Sequence, residues 1–314
     1  MKAVFLDRGS FPESIKIRLS NKVTEFVEYE NTQPEEVAER IKDAHIVLSN
    51  KILLNEGSLN QATNLQLVQV MATGTNNVDK AACERNNIKV QNVEGYSTIT
   101  VPEHTFSMLL ALRRNLFSYT QDVENGKWAS SEHFCFLDYP IQDLSSTTMV
   151  IIGGGSLGKR VANIAEAFGM EVIFAERKGA ETIRDGYVPF ESALPQADVI
   201  SLHCTLTEET TNLIGKAQFD LMKSNSILLN ISRGGIVNEE ALLGALQNKQ
   251  IAGAAFDVAT QEPMPLDHPL QKLSQLPNFL LTPHVAWASN EAMQKLVDIA
   301  TAKITTFIDG LNNK

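Results

Sequence analysis

Short aliphatic and β-branched runs recur along the chain and alternate with stretches that have a helical pattern. Continuous apolar runs of this kind are typical of parallel strands, because such strands are buried on both faces. Ten runs are predicted to be strands: residues 2–7, 46–49, 65–71, 88–92, 148–152, 171–175, 199–203, 227–230, 251–257 and 279–282.

The stretches between these runs predict helices over residues 34–43, 101–117, 159–168, 238–248 and 290–308. Repeated strand–helix–strand units predict an α/β fold with parallel sheets. A chain of 314 residues exceeds one average domain, so two domains are expected. Residues 126–146 form the one long irregular stretch, and their aromatic side chains favour an interface or functional loop over disorder.

Composition and charge narrow the class of protein. Hydrophobic residues make up 43% and charged residues 20%, which supports a full core. A formal net charge of −10 argues against nucleic acid as a partner. No apolar run has the length of a membrane span, and the first apolar run is too short for a signal peptide. Three distant cysteines and no zinc-type spacing favour a reducing cytoplasm and no metal.

A glycine-rich turn of the form G-x-G-x-x-G directly follows the apolar run 149–152 and opens a predicted helix. The first glycine makes the tight turn, the second lets the backbone approach a pyrophosphate, and the third lets helix pack on strand. Phosphate is attracted by the unpaired N–H groups of the helix start. The pattern is weak alone, but this context predicts a dinucleotide site. The predicted contacts are Gly153, Gly155, Ser156, Leu157 and Gly158.

Glu176 ends the next predicted strand, eighteen residues beyond Gly158, where an acidic residue is expected to meet the ribose hydroxyls. A carboxylate there favours NAD, because it repels a 2′-phosphate. Arg177 and Lys178 follow at once and are able to hold that phosphate, although two solvated loop charges are the simpler interpretation. We therefore expect NAD, leave NADP open, and take Glu176 and Arg177 as candidate cofactor contacts.

Three residues in the second half of the chain carry the charges that reduction of a 2-keto acid requires. Arg233 is able to grip a carboxylate with two parallel hydrogen bonds. His284 is able to give a proton to the carbonyl oxygen as hydride arrives at carbon, and Glu262 to fix the tautomer and favour the charged form of that histidine. Each alone has an ordinary structural explanation. Together, at predicted strand ends beside a dinucleotide turn, they favour catalysis.

The chain resembles the D-isomer-specific 2-hydroxyacid dehydrogenase family, and within it the bacterial glycerate dehydrogenase and hydroxypyruvate reductase group. Besides the motifs above, Met-Ala-Thr-Gly-Thr-Asn-Asn-Val-Asp at 71–79 and Thr-Pro-His-Val-Ala-Trp at 282–287 carry the resemblance. The similarity therefore covers essentially the whole chain. It implies an enzyme that reduces a small 2-keto acid to the D-2-hydroxy acid with NAD(P)H. Hydroxypyruvate to D-glycerate is the expected reaction, with glyoxylate as a side substrate.

The resemblance also implies a discontinuous architecture of two Rossmann-like domains. The substrate domain is expected to comprise residues 1–98 and 286–314, with the cofactor domain, residues 99–285, inserted between them. A homodimer is expected, formed through the cofactor domain and residues 126–146.

Individual roles follow from the resemblance at matching positions. His284 is expected to be the general acid in reduction, Glu262 its partner and Arg233 the ligand of the substrate carboxylate. The residues expected to bind substrate are Asn50, Thr73, Gly74, Thr75 and Trp287. Further expected cofactor contacts are Thr100, Cys204, Thr205, Thr210, Ile231, Arg233 and Asp257. Two positions depart from the family, which usually has Pro at Thr205 and more often Asp at Glu176.

Two other functions remain open at this point. One is a dehydrogenase for a bulkier 2-keto acid of the phenylpyruvate type, which pocket volume would discriminate. The other is a non-catalytic, NAD-dependent binding protein. The complete set of Arg233, Glu262 and His284 argues against the second.

Overall fold

A computed structural model describes residues 1–311 of the chain. The chain consists of two compact units. The first unit contains Met1–Ser97 and the C-terminal segment from Ala288, and the second contains Thr98–Trp287. Each unit holds one parallel sheet flanked by helices, so the predicted α/β class with parallel sheets is confirmed.

The first unit has a five-stranded parallel sheet. Its strands are β1 (Lys2–Phe5), β2 (Glu25–Glu28), β3 (Ile46–Ser49), β4 (Leu67–Val70) and β5 (Lys89–Gln91), in the order β2-β1-β3-β4-β5. Its helices are α1 (Val37–Ile41), α2 (Glu56–Leu59), α3 (Lys80–Arg85), the C-terminal helix Asn290–Leu311, and the 3-10 helices Arg8–Ser10 and Pro34–Glu36. The central strands β3 and β4 are wholly buried, as their apolar runs predict. The edge strand β2 was not predicted, because its two apolar residues stand between two glutamates.

The second unit has a seven-stranded parallel sheet. Its strands are β6 (Thr148–Ile152), β7 (Glu171–Ala175), β8 (Tyr187–Val188), β9 (Val199–Leu202), β10 (Ile227–Asn230), β11 (Gly253–Phe256) and β12 (Phe279–Leu281). The helices are α4 (Thr100–Arg113), α5 (Leu116–Glu124), α6 (Ser156–Ala167), α7 (Phe190–Ala193), α8 (Lys216–Phe219), α9 (Glu239–Gln247), α10 (Pro269–Leu273) and the 3-10 helix Leu194–Gln196. The strand order is β12-β11-β10-β9-β6-β7-β8.

Side chains of β6 alternate between two core clusters of the second unit. Val150 and Ile152 belong to one cluster, and Met149 and Ile151 to the other. Both faces of the sheet are therefore covered, which explains why its strands appear as uninterrupted apolar runs. Within residues 1–311, no helix is long and apolar enough to cross a membrane.

The prediction of one helix over residues 101–117 was wrong. The chain leaves α4 after Arg113, and Asn115 adopts a left-handed backbone with φ of 47° before α5 begins. The Asn115 side chain donates a hydrogen bond to the carbonyl oxygen of Pro140 at 2.6 Å. Asparagine tolerates this conformation better than most residues. The break therefore depends on a distant contact, and no glycine or proline marks it in the sequence.

The strand order of the second sheet reverses beside β6. The chain passes from β6 to β7 on one side and later returns to β9 on the other side. Open parallel sheets bind ligands outside the carboxyl ends of their strands at such a switch point. The glycine-rich turn follows β6 and residues 203–207 follow β9. The topology therefore places both predicted cofactor segments at the expected edge.

Candidate active site

The glycine-rich turn has the shape that a diphosphate requires. Gly153 has a φ of 105°, and a Cβ atom there would lie 2.5 Å from the carbonyl carbon of His203. The turns after β6 and β9 are thus in backbone contact. A Cβ on Gly155, by contrast, would meet no heavy atom of the described residues within 4 Å. Helix α6 begins at the exposed Ser156, so open space and unpaired N–H groups coincide, as a bound pyrophosphate needs.

The segment after β9 is held by its own side chains. Thr210 Oγ1 donates to the carbonyl oxygen of Thr205 at 2.7 Å and accepts from the backbone N of Thr207 at 2.7 Å. The loop is therefore ordered although Thr205 replaces the usual proline. Burial raises the pKa of the Cys204 thiol to about 11, so this thiol is neutral at physiological pH. Contacts of these residues with a dinucleotide stay predictions.

Arg233 lies in a turn that Asn230 organises from the end of β10. The buried Asn230 side chain donates to the carbonyl oxygen of Arg233 at 2.9 Å and accepts from the backbone N of Ser232 at 3.2 Å. The Arg233 guanidinium is half-buried and donates through Nη1 to the carbonyl oxygen of Ser232 at 2.7 Å. The neighbouring Ile231 is buried. The sequence drew attention to Arg233 but not to Asn230.

Gly234 brings the Arg233 turn against the segment that carries Glu262. A Cβ atom on Gly234 would lie 1.9 Å from the carbonyl oxygen of Ala259. Only glycine permits this backbone approach. Ala259 in turn donates its backbone N–H to Glu262 Oε1 at 3.0 Å. The two turns that carry the predicted cation and carboxylate are therefore packed together.

His284 and Glu262 form a direct pair. His284 Nδ1 lies 2.6 Å from Glu262 Oε2, with side-chain exposures of 23% and 34%. A carboxylate accepts hydrogen bonds only, so Nδ1 carries a proton and Nε2 is the atom that exchanges one with a substrate. His284 has a φ of 55°, a conformation that is uncommon outside glycine and clusters at functional sites. The predicted pairing of these two residues is thus present in the structure.

A buried carboxylate, Asp257, holds the turn that presents His284. It is 1% exposed and accepts from the Thr282 hydroxyl at 2.5 Å and from the backbone N atoms of Val285 and Ala286 at 2.9 and 2.8 Å. His104 Nε2 lies 3.0 Å from the same hydroxyl. The resemblance to the family implied that Asp257 contacts the cofactor. That contact stays a prediction, and the anchoring role was missed because it depends on folding.

Two further predicted residues also border this turn. Thr100 Oγ1, in the first turn of α4, donates to the carbonyl oxygen of Ala286 at 3.0 Å. Trp287 Nε1 donates to the carbonyl oxygen of His284 at 2.9 Å. The indole is thereby fixed to the backbone of the residue predicted to be the general acid.

Glu176 lies at the carboxyl end of β7 and is 3% exposed. Arg184 holds its carboxylate with two parallel hydrogen bonds, Nε to Oε2 at 2.6 Å and Nη2 to Oε1 at 2.7 Å. The hydrogen bonds from Arg184, and next that from the backbone N–H of Arg177, lower the pKa of Glu176 to about 2. Sequence reasoning missed Arg184, because no spacing rule connects it to Glu176.

The remaining predicted residues, Asn50, Thr73, Gly74 and Thr75, belong to the first unit. Asn50 follows β3, is buried, and donates its backbone N–H to Asp7 Oδ1 at 2.9 Å. Thr73 follows β4 and donates its hydroxyl to the carbonyl oxygen of Val93 at 2.9 Å. Their binding of a substrate carboxylate stays a prediction. Over the described residues, no group of three or more His, Cys, Asp or Glu is placed to hold a metal ion.

Comparisons with known proteins agree with this geometry. Residues 106–286 match the family model described as D-isomer specific 2-hydroxyacid dehydrogenase, NAD binding domain. The chain is 45% identical to a glycerate dehydrogenase of Methylorubrum extorquens, over 98% of this chain and 96% of that one. It is 42% identical to a putative 2-hydroxyacid dehydrogenase of Haemophilus influenzae, over the full length of both.

Among solved structures, the TT0316 protein of Thermus thermophilus superposes with a TM-score of 0.86 at 27% identity, covering 99% of this chain and 97% of that one. The family match, the full-length relatives and the fold all lead to one assignment. The chain belongs to the D-isomer-specific 2-hydroxyacid dehydrogenase family, enzymes that use NAD(P) to interconvert small 2-keto acids and D-2-hydroxy acids.

Proposed function

We propose that this protein reduces hydroxypyruvate to D-glycerate, with glyoxylate as a side substrate. The observation that carries the proposal is the His284–Glu262 pair at 2.6 Å in the unit that bears the dinucleotide turn. The 45% identity to a glycerate dehydrogenase supports this substrate class over the family's others.

The chain's own residues supply the proton and the charge for the reaction. A bound dinucleotide supplies the hydride. Glu262 accepts the hydrogen bond from Nδ1–H of His284, so Nε2 is the ring atom that donates a proton to the substrate. This proton goes to the carbonyl oxygen as hydride reaches the carbon, so negative charge does not accumulate on the oxygen. The Arg233 guanidinium binds the substrate carboxylate and fixes the orientation of the keto group. In the oxidative direction, neutral His284 accepts the hydroxyl proton at the same atom.

We propose that Trp287 limits the size of the keto acid. Its indole donates a hydrogen bond to the backbone carbonyl oxygen of His284, which supports a position beside the proposed proton donor. A Trp287→Ala variant is expected to lose activity on hydroxypyruvate and gain on phenylpyruvate. An unchanged ratio of the two kcat/KM values would argue against this role. A wild-type preference for phenylpyruvate would favour the bulky-substrate alternative.

The test of the function is steady-state oxidation of NADH and NADPH by the purified protein with hydroxypyruvate, glyoxylate, pyruvate and phenylpyruvate. The proposal predicts the highest kcat/KM on hydroxypyruvate and a D-configured product. Turnover on none of the acids, with dinucleotide still bound, would favour the non-catalytic binding protein.

We also propose that the second unit is the cofactor domain and the first unit the substrate domain. In the first unit, Asn50, Thr73, Gly74 and Thr75 are proposed to contact the substrate. An Asn50→Ala variant should raise KM for hydroxypyruvate and leave the dissociation constant of the dinucleotide unchanged. A raised dissociation constant would instead place Asn50 at the cofactor.

We also propose that the protein is cytoplasmic and forms a homodimer. Residues 116–141 expose several large apolar side chains, which suit an interface: Leu116, Phe117, Val123, Trp128, Phe134, Leu137 and Ile141. Light scattering should give the mass of two chains. A Phe134→Ser/Leu137→Ser variant should form a weaker dimer, which separates into single chains at protein concentrations where wild type is still dimeric. Leu266→Ser changes an 89% exposed leucine outside this stretch and should leave the dimer as stable as in wild type.

A further inference from the structure

The carboxylate expected to bind the adenosine ribose has its acceptor positions filled. Glu176 Oε1 accepts from Arg184 Nη2 and from the backbone N of Arg177, at 2.7 and 2.8 Å. Glu176 Oε2 accepts from Arg184 Nε and from the backbone N of Arg184, at 2.6 and 3.2 Å. A carboxylate has about four acceptor sites. A ribose diol must therefore displace a donor before Glu176 can bind it.

Arg184 is fixed beside the glycine-rich turn by an aromatic ring. Its guanidinium carbon lies 3.9 Å from the ring centroid of Tyr187, a cation–π contact. A Cβ atom on Gly154 would lie 2.0 Å from the Tyr187 hydroxyl. The glycine-rich turn therefore contacts Tyr187, Tyr187 contacts Arg184, and Arg184 contacts Glu176. Arg184 consequently lies at the edge where the adenosine end of a dinucleotide would bind.

The charge of Glu176 is neutralised while cationic groups stay accessible. Arg184 is 54% exposed, and Glu176 uses only two of its five guanidinium N–H groups. Arg177 and Lys178 are exposed next to the carboxylate. The acidic groups here are Glu209, which interacts electrostatically with Arg177, and Glu181 and Asp185, both exposed on the connection from β7 to β8. Unlike Glu176, none of these occupies the strand end that meets the ribose.

We propose that Arg184 makes this enzyme bind NADPH in preference to NADH. Paired with Glu176, it cancels the negative charge that would repel a 2′-phosphate, and its remaining N–H groups, together with Arg177, bind that phosphate. NADH gains no such contact and meets a carboxylate without an open acceptor. This inference rests on the proposed function, because the dinucleotide is the cofactor of that reaction.

The test is equilibrium binding of NADH and NADPH to the full-length protein without keto acid, with 5′-AMP and 2′,5′-ADP as probes that lack nicotinamide. Wild type should bind NADPH and 2′,5′-ADP more tightly than NADH and 5′-AMP. Arg184→Met should lower the NADPH preference by about tenfold, roughly the value of one hydrogen bond to a charged group. The variant exposes the charge of Glu176, so NADH binding should hold or improve.

Two more variants keep the result interpretable. Glu176→Gln leaves Arg184 in place without its counter-charge and should raise the NADPH preference, which tests the idea even if Arg184→Met folds poorly. The control is Arg85→Met, which removes an exposed arginine–glutamate pair with Glu56 in the first unit and should leave the preference unchanged.

Several outcomes would overturn the inference. They are a wild-type preference for NADH, an unchanged preference in Arg184→Met, and a fall in NADPH preference in Glu176→Gln. These measurements need no turnover, so their failure is separable from failure of the function. Loss of hydroxypyruvate reduction with an intact NADPH preference would reject the proposed reaction and leave Arg184 in its role.

Discussion

At the scale of single residues, His284 depends on two different carboxylates. Glu262 holds its ring through Nδ1 at 2.6 Å. Asp257 holds its backbone turn through Thr282, Val285 and Ala286. One carboxylate therefore orients the ring and fixes its tautomer, and the other fixes the position of its backbone, so substitutions at the two sites should have different kinetic consequences.

His284→Gln should reduce kcat by about a thousandfold, within the range that a general acid contributes. The dissociation constant of the dinucleotide should stay within about twofold of wild type, because the phosphate-binding turn is distant along the sheet edge. Steady-state oxidation of the dinucleotide measures kcat, and fluorescence titration measures the dissociation constant. Near wild-type kcat would remove His284 from the mechanism.

Glu262→Gln should lower kcat less than His284→Gln, because Glu262 holds the ring of His284 through Nδ1 and does not itself transfer the proton. Steady-state kcat values of the two variants check this order. A kcat for Glu262→Gln as low as that for His284→Gln would mean that the carboxylate does more than orient the ring.

The Glu176–Arg184 pair should contribute stability that depends on pH. The pKa of Glu176 is lowered in the folded protein to about 2 from 4.5, so its contribution is complete above about pH 5 and is lost as pH falls from 4.5 towards 2. The difference in unfolding free energy between wild type and Glu176→Gln should shrink over that window. Urea unfolding at a series of pH values measures it, and a difference independent of pH would contradict the assignment.

The sequence predicted that Glu262 pairs with His284, and the structure contains that pair. The catalytic roles of Arg233, Glu262 and His284 stay predictions. Arg184 and Asn230 were not predicted, because the residues that they contact depend on the path that a loop takes in the folded chain. Nothing in a single sequence distinguishes Arg184 from the exposed Arg177 and Lys178.

At the scale of elements, the close packing of the Arg233 and Glu262 turns depends on Gly234. Gly234→Ala places a methyl group where Ala259 O lies 1.9 Å away, so the turns must separate. We expect a fall in melting temperature and a loss of kcat/KM greater than tenfold, since small misplacements of catalytic groups are costly. An unchanged melting temperature and an unchanged kcat/KM would show that the two turns can separate without loss of stability or activity.

The matched control lies ten residues further along the chain. A Cβ atom on Gly244, within α9, would meet no heavy atom of residues 1–311 within 4 Å beyond its own helix. Gly244→Ala should therefore leave activity unchanged and stabilise the protein by about 0.5–1 kcal/mol. Thermal unfolding of the two variants side by side separates a steric effect from a general sensitivity of the region.

Element prediction followed burial closely. The ten predicted strands correspond to ten observed ones, because central strands are apolar on both faces. The edge strands β2 and β8 were missed. In β2 a charged residue stands on each side of the two apolar residues, and β8 is only two residues long. The short helices α2, α3, α7, α8 and α10 were missed too, because four to six residues contain too little periodicity.

At the scale of the whole molecule, folding and cofactor binding should be linked. A ligand at about a hundred times its dissociation constant stabilises the folded state by about 2.7 kcal/mol. NADPH should therefore raise the melting temperature by several degrees, and by more than NADH at equal concentration. Differential scanning fluorimetry checks this directly, and equal shifts with both nucleotides would argue against discrimination at Arg184.

The domain arrangement is the part that composition and periodicity alone could not give. Both units appear as strand–helix repeats, so a pattern cannot show that the first unit combines Met1–Ser97 with the C-terminal segment. Only the resemblance to a family supplied that expectation. Long-range contacts such as Lys303 Nζ with the carbonyl oxygen of Asn92, at 2.8 Å, join the two ends of the chain and have no local sequence signal.

Reduction of hydroxypyruvate through His284 is tested by the rate of NAD(P)H oxidation with hydroxypyruvate, measured for wild type and His284→Gln under identical conditions. Wild type should turn over rapidly to D-glycerate, and the variant should lose about a thousandfold in rate, with nucleotide binding retained in both. Equal rates in the two proteins, or no oxidation by a wild-type protein that binds the nucleotide, would contradict it.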